Sequence, residues 1–384
     1  MSQSIQTAAI TELETPALLL DEQKMDANIV RLRSHLEAHD VAFRPHAKTS
    51  KSVDVVRRML GAHSGPVTVS TLKEAEYLAS HGFTDILYAV GLAPNKLAHV
   101  LDLCSRGVAM IVLLDNVAAA ALLVAVARGK TAAPSVMIEI DCDGHRSGVR
   151  PGAPELADIA ALLRDGGIVL RGVLTHAGSS YACRSREDIV RVARQERDAV
   201  VDCAMRLRAL GHACPQVSLG STPTAQFGDD LRGVTEVRAG VFAFGDLVMS
   251  GIGVTRPEQI AISVLATVLG HQPDKGWTII DAGWMALSRD RGTRAQPMDQ
   301  GYGLVCDVHG RPLDDIIVIE ANQEHGVLAH RSGDPGRMPQ LPVGALVRVL
   351  PNHACATAAQ HDHYHLTAGA ANRISAVWPR LQGW

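Results

Sequence analysis

The sequence predicts an α/β protein: a (β/α)8 TIM barrel followed by a smaller, mostly β domain. Three observations carry this. Eight short apolar segments alternate with helical patterns through the first 250 residues. Beyond Ser250 the helical alternation stops, and strand-like runs follow one another through turns. Residues with chemistry to offer gather at the ends of the predicted barrel strands, where a barrel carries its site. A doubly wound open sheet is the competing arrangement, because it shares the same alternation.

The barrel strands are expected at residues 41–46, 67–70, 85–90, 109–115, 136–141, 169–175, 217–220 and 234–238. Each is apolar, often β-branched, and bounded by Gly, Pro or Asp, as strands buried on both faces are. Met25, Ile29, Leu32 and Leu36 form an apolar stripe at helical spacing, and residues 184–210 read as a long helix. The barrel domain is thereby placed at residues 21–250. In the second domain, residues 251–384, strands are expected at 260–269, 277–281, 316–320, 345–350 and 364–367, with turns between them. Residues 17–20, within the segment 1–20, are expected to add a strand to it. No internal repeat or low-complexity tract occurs.

Composition narrows the function classes. The 384 residues are 47% hydrophobic and 20% charged, enough for a large core or two domains. A net charge of −3 gives no reason to expect nucleic acid or an anionic membrane surface. Residues 1–15 are polar and lack the apolar centre of a signal peptide. The longest apolar run, residues 117–126, is too short to span a bilayer. Seven scattered cysteines fit a reducing, cytoplasmic compartment better than a disulfide framework.

The segment Val41-Ala42-Phe43-Arg44-Pro45-His46-Ala47-Lys48-Thr49 puts Lys48 at the end of an extended run. Such a lysine is a candidate for Schiff-base chemistry, for which partial desolvation lowers the ammonium pKa and frees the amine. Taken alone it reads first as a surface lysine at a strand end, and the motifs that follow shift the balance. Strand seven leads into Gly220-Ser221-Thr222-Pro223-Thr224 and strand eight into Arg238-Ala239-Gly240-Val241. Glycines let backbone N–H groups approach an anion, hydroxyls add donors, and barrels often hold phosphate after strands seven and eight.

Strand five ends in Asp141-Cys142-Asp143-Gly144-His145-Arg146-Ser147-Gly148. Arg146 there can donate to a phenolate oxygen; the stretch also reads as a charged turn with incidental ion pairs. Strand six ends in Thr175-His176-Ala177-Gly178-Ser179-Ser180-Tyr181, offering an imidazole, hydroxyls and a phenol. His176 alone is as readily a structural histidine. His353-Ala354-Cys355 follows the run 345–350. In an extended chain residues two apart point to the same side, so both side chains could grip one ion, and imidazole with thiolate suits Zn2+. Two ligands are fewer than the three usual at a catalytic zinc, so water, substrate oxygens or another side chain must complete the shell.

Taken in order, these motifs resemble the D-serine dehydratase and D-threonine aldolase family over nearly the whole chain. The matching stretches include Arg44-Pro45-His46-Ala47-Lys48-Thr49, Asp143 to Gly148, Thr175 to Tyr181 and Gly220 to Thr224. They continue through Arg238 to Val241, Asp281-Ala282-Gly283, Gln323-Glu324-His325-Gly326 and Pro351-Asn352-His353-Ala354-Cys355. The resemblance implies an alanine-racemase-like fold, a pyridoxal 5'-phosphate cofactor and a divalent metal, Zn first and Mn, Co or Mg after it. It implies that Lys48 is the Schiff-base lysine and that Arg146 contacts the phenolic oxygen. His176 and Tyr181 would line the cofactor. Gly220, Ser221, Thr222, Gly240 and Val241 would hold its phosphate, and Arg238 would face the pyridine nitrogen. His353 and Cys355 would bind the metal, and a homodimer is implied. Family aldolases typically show His-x-Asp where the dehydratases show His-x-Cys, and this chain has the latter.

The expected reaction is therefore β-elimination from a small 3-hydroxy D-amino acid: D-threo-3-hydroxyaspartate to oxaloacetate plus ammonia, or D-serine to pyruvate plus ammonia. Lys48 would take the α-proton, and the metal would assist departure of hydroxide. An arginine at the pyridine nitrogen would weaken the ring as an electron sink and shift more of the barrier to the metal. The competing readings are a metal-dependent aldolase, an amino-acid racemase and a non-enzymatic pyridoxal-phosphate carrier. A racemase needs a tyrosine from the partner's β domain, for which Tyr302 is the neighbouring candidate. A carrier has no use for the second domain.

Overall fold

The computed structural model describes residues 9–368 and 373–384, so residues 1–8 of the polar N-terminal stretch lie outside the described residues. The chain divides into two compact units. One takes in Arg31–Gly240 with Gly383–Trp384; the other takes in the described residues up to Val30 with Val241–Gln382. The first strand, β1 (Ala17–Asp21), belongs to the second of these.

The first unit is built on eight parallel strands: β2 (Ala42–Pro45), β3 (Val67–Val69), β4 (Asp85–Gly91), β5 (Ala109–Leu114), β6 (Ser135–Ile140), β7 (Leu170–Thr175), β8 (Gln216–Leu219) and β9 (Glu236–Ala239). Their order is β2-β9-β8-β7-β6-β5-β4-β3. A parallel bridge between His46 and Thr68 joins the two outermost strands, and Ala47 N–H donates to Thr68 O at 2.8 Å. That bridge makes the sheet a nearly closed barrel and disposes of the open doubly wound alternative. Helices intervene, as the pattern predicts. Met25, Ile29, Leu32 and Leu36 are all buried along Glu22–Ala38. The long helix is Arg186–Ala209, and the Ser185 hydroxyl caps it by accepting the Asp188 N–H.

The barrel interior has two characters. Leu87, Ile111, Leu113, Met137 and Leu174, from the neighbouring strands β4 to β7, form a dry apolar cluster. The strands β2, β8 and β9 carry charge instead. Arg44, buried on β2, donates through Nε to both carboxylate oxygens of Glu236 (3.1 and 3.0 Å) and through a terminal nitrogen to Asp85 (2.8 Å). The Ser218 hydroxyl donates to Glu236 at 2.8 Å and accepts from Arg238 Nε at 2.9 Å. A buried charge needs such partners, and this chain of contacts supplies them at the strands that end in the predicted phosphate loops.

The second unit is antiparallel apart from one parallel pair. Its further strands are β10 (Ile262–Gln272), β11 (Trp277–Ile280), β12 (Leu304–Cys306), β13 (Pro312–Ala321), β14 (Gly326–His330), β15 (Leu346–Leu350), β16 (His363–Thr367) and β17 (Ile374–Pro379). The order is β11-β14-β13-β12-β15-β10-β1-β16-β17, and β11 also pairs with β10, which closes six of the strands into a ring. As expected, β1 joins this sheet, antiparallel to β10 and parallel to β16. The strands β12, β14 and β17 are absent from the sequence reading. β12 has three residues and β14 is buried throughout, so neither shows alternation. The expectation of turns alone between strands is also corrected, because short helices stand at Trp284–Leu287 and Ala354–Ala358.

Candidate active site

The barrel end collects Lys48, His46, His176, Arg146 and Arg238. β2 stops at Pro45 and the chain turns over residues 47–50, carrying Lys48 past the strand rather than leaving it at the strand's end. Lys48 is exposed, so the desolvation expected for it is not supplied by the surrounding barrel residues. Among the described residues no carboxylate pairs with it. His46, two residues earlier, is buried and accepts the Lys48 N–H at Nδ1 (3.4 Å). Burial holds His46 well below the usual histidine range, and the positive charges of Lys48 and Arg238 push the same way.

His176 follows β7. Its Nδ1 lies 2.8 Å from Gly220 O, which as a carbonyl can only accept, so Nδ1 carries the hydrogen and Nε2 keeps its lone pair. Burial, with the charges of Lys48, Arg238 and Arg146 in support, takes His176 down to about 4. Arg238 is buried on β9 and fixed by Ser218 and by Thr175 O. Burial lowers its pKa to about 10 against the opposing charges of Glu236, Glu196 and Glu139, so it stays cationic at neutral pH.

Arg146 sits on the loop after β6, 63% exposed, with Glu139 3.7 Å away. That loop is not a charged turn of incidental ion pairs. Its carboxylates accept backbone N–H groups: Asp141 from Gly144 (2.7 Å) and Asp143 from His145 (3.2 Å) and Ser179 (2.8 Å). The His145 ring lies against Gly178, where a Cβ would come within 2.2 Å of it. Tyr181 stands in the short turn Gly178–Ala182, its ring centroid 6.1 Å from that of His176.

The loops after β8 and β9 are tightly packed. A Cβ on Gly220 would lie 1.9 Å from Arg238 O, and one on Gly240 would lie 2.8 Å from His46 O, so both positions need glycine. The Ser221 hydroxyl is 2.8 Å from the Ser180 hydroxyl and 2.9 Å from that of Thr224, and it caps the helix Thr222–Phe227. Thr222 is buried at the start of that helix. Glu196 ties the loop after β8 to the loop after β7: one carboxylate oxygen accepts the N–H of Ala177 (2.9 Å) and of Gly220 (3.3 Å). Backbone N–H groups, hydroxyls, three cations and close-packed glycines suit a phosphorylated, anionic cofactor. Gly240 is the last residue of this stretch in the barrel unit, and Val241, also buried, begins the other unit.

In the second unit His353 and Cys355 are brought together, but not as an extended pair. His353 is the extended residue preceding the helix Ala354–Ala358, and Cys355 lies inside the helix. The helix starts there because buried Asp246 accepts the Ala354 N–H at 3.0 Å. The His353 ring hydrogen-bonds Cys355 and, through Nδ1, Asp290 Oδ2 at 3.1 Å. Burial works against protonation of His353, but Asp290, Cys355 and Asp246 outweigh it and raise its pKa to about 11. These are surroundings made for positive charge. A carboxylate on Nδ1 also turns Nε2 outward as a ligand, as at many zinc sites, so the donor set fits a divalent ion. Asn352 locks the loop in place, donating to Asp290 O (3.0 Å) and Gly301 O (2.7 Å). Among the described residues no third ligand-type side chain joins the pair. Tyr302, the racemase candidate, packs under Arg291 at 4.8 Å.

Comparison with known proteins agrees with both halves. The family of the alanine racemase N-terminal domain matches residues 20–248, and the serine dehydratase domain family matches residues 261–367. D-threo-3-hydroxyaspartate dehydratase of Delftia sp. (strain HT23) is 51% identical over 97% of this chain and 98% of its own. The chain belongs to the D-serine dehydratase and D-threonine aldolase family. D-serine dehydratase of Dictyostelium discoideum, another member, is 28% identical over 96% of this chain and 97% of its own. A cysteine-to-alanine variant of D-threo-3-hydroxyaspartate dehydratase, solved in the metal-free form, superposes with a TM-score of 0.95. It is 49% identical, covering 98% of this chain and all of that one. The fold is alanine-racemase-like, and the protein is a family enzyme of the dehydratase, carbon–oxygen lyase type.

Sequence reasoning missed Asp290, Asp246 and Glu196. Asp290 lies 63 residues before His353 and Asp246 108 residues before Ala354, and no spacing signals such pairings. His46 was the accessible one, because it stands inside the lysine motif.

Proposed function

We propose that the protein dehydrates 3-hydroxy D-amino acids with pyridoxal 5'-phosphate and a divalent metal, zinc first among the candidates. D-threo-3-hydroxyaspartate would yield oxaloacetate and ammonia, and D-serine pyruvate and ammonia. The observation that carries this reading is the contact of His353 with Cys355, backed by Asp290, which a racemase or a carrier would not require. The 51% identity to D-threo-3-hydroxyaspartate dehydratase supports the same choice.

Lys48 would hold the cofactor and carry the α-proton, its exposed amine paired with no carboxylate among the described residues. Neutral His176 and Tyr181 would line the cofactor, and Arg146 would donate to its phenolic oxygen. Gly220, Ser221, Thr222, Gly240 and Val241 would hold the phosphate. Arg238, immobilised by Ser218 and Thr175, would face the pyridine nitrogen as a fixed cation. When bound, pyridoxal phosphate supplies an electron sink for the charge left at Cα. A divalent ion on His353 and Cys355 supplies Lewis acidity toward the leaving hydroxyl.

Residues 21–250 are taken as the cofactor part, and 251–384 with a strand from 1–20 as the metal part. A homodimer in the cytoplasm is part of the reading. None of the seven cysteines is joined in a disulfide, which fits a reducing compartment, and no helix among the described residues is long and apolar enough to cross a membrane. The test is to incubate purified protein with each substrate, with and without chelator, and identify products. Oxaloacetate or pyruvate with ammonia supports the dehydratase; glycine with glyoxylate would make the protein an aldolase instead.

A further inference from the structure

We propose that the β16 histidines form a second divalent-metal site, distinct from His353 and Cys355. β16 opens His363-Tyr364-His365. Side chains alternate along a strand, so His363 and His365 share one face. Tyr364 is buried on the other face, edge-on to Phe244. The Nε2 atoms of His363 and His365 are 2.9 Å apart, with ring centroids at 4.6 Å and planes at 77°. Two imidazoles bound to one ion at about 2.05 Å place their nitrogens about 2.9 Å apart for a right angle and about 3.3 Å apart for a tetrahedral one. The bite of an ion is therefore already present.

The supports are those of a metal-binding histidine. The Asp362 carboxylate accepts the hydrogen of His363 Nδ1, which leaves Nε2 as the lone-pair nitrogen. The side chain of His363 is 43% exposed, giving water and an ion access. His361 is occupied elsewhere, its Nε2 lying 3.0 Å from Ala286 O. The Arg380 guanidinium, the nearby cation, is turned to Tyr364 and to Leu381 O. Without a metal the two Nε2 atoms share one hydrogen; when an ion takes its place that hydrogen moves to His365 Nδ1, a buried nitrogen that has no hydrogen-bond partner, and both rings ligate as neutral imidazoles. Imidazole nitrogen with water selects a borderline transition ion such as Zn2+, Co2+ or Ni2+ over Mg2+ or Ca2+.

The site contains no sulfur, which makes it separable from the first. Metal-free, full-length protein would be titrated with Co2+, following ligand-field absorption, the near-ultraviolet thiolate-to-cobalt band and ions bound per chain. Wild type should bind two ions. His363→Ala should bind one and keep the thiolate band; Cys355→Ala should lose the band and still bind one. Asp362→Asn, at an exposed side chain that leaves both rings in place, should weaken the sulfur-free ion by about 10–100-fold. One ion per chain in the wild type, or two in His363→Ala, would overturn the proposal. A missing thiolate band with His363-dependent binding intact would remove Cys355 from the first site and uphold this one.

Discussion

The barrel end and the His353 loop of the β unit treat histidine in opposite ways. His46 and His176 are driven neutral by burial, helped by Lys48, Arg238 and, for His176, Arg146. His353, whose side chain is more open to solvent than that of His46, is driven toward the imidazolium by Asp290, Cys355 and Asp246. One region gathers fixed cations and N–H donors and suits a phosphate or carboxylate. The other gathers anionic donors and suits a cation. The difference shows that the neighbours' charge, not the residue type, decides what each imidazole can do.

The largest effect should come from the barrel side. On the proposed reading Lys48→Ala should abolish turnover and the absorbance of lysine-linked cofactor, since no other residue of the turn 47–50 carries a primary amine. A variant that stays yellow after dialysis would move that role to another lysine, such as Lys51 or Lys73.

Next in size is loss of the cation side alone. His353→Ala, Cys355→Ala or chelation should leave the cofactor bound but cut keto-acid release about a thousandfold or more. Metal stabilisation of a departing oxygen is worth several kcal/mol, at about 1.4 kcal/mol per decade. Undiminished release by metal-free enzyme would collapse the division of labour between the two regions.

Asp290→Asn probes why the second region favours charge. It should weaken metal binding by about 10–100-fold, because it loosens the ring that Asp290 orients. The pH dependence sharpens the point. Below about 11 the folded His353 holds a proton that a metal must displace, so wild-type affinity should rise with pH, by about tenfold per unit for each proton released. Removing Asp290 takes away the largest support for that proton, so the slope near neutrality should flatten. Isothermal titration from pH 6 to 9 would read both effects, and an unchanged slope would show that Asp290 does not set the charge of His353.

Much of this was legible in the chain. The eight barrel strands are short apolar runs with breakers at both ends, which is how doubly buried strands are written. The anion side was readable too, because glycines and hydroxyls at strand ends signal close backbone approach. The cation side was readable by residue type and misread in geometry. His353 and Cys355 meet across the start of a helix whose first N–H is capped by Asp246, 108 residues upstream. Charge balance was invisible for the same reason: the carboxylates that set it come from distant segments.

The smallest effect tests the carboxylate on the anion side. Glu196 is fully buried within Arg186–Ala209, and burial raises its pKa. Its role is mechanical, holding Ala177 N–H and Gly220 N–H so that the loops after β7 and β8 keep their spacing. Glu196→Ala strands two buried donors and should cost about 1–3 kcal/mol, a few degrees in melting temperature at about 2–4 °C per kcal/mol. Glu196→Gln retains an acceptor and should cost less. The pH dependence separates charge from shape. The folded carboxyl binds its proton more tightly than the unfolded one, whose pKa is about 4.3. As pH rises above that value the unfolded state releases a proton that the folded state retains, so wild type loses stability relative to Glu196→Gln until the folded pKa is passed. Melting curves of both proteins from pH 4 to 8 should therefore diverge in the glutamine variant's favour as pH rises. Parallel curves would mean that Glu196 is not held as a raised, buried acid, and that the barrel end tolerates its charge as readily as water does.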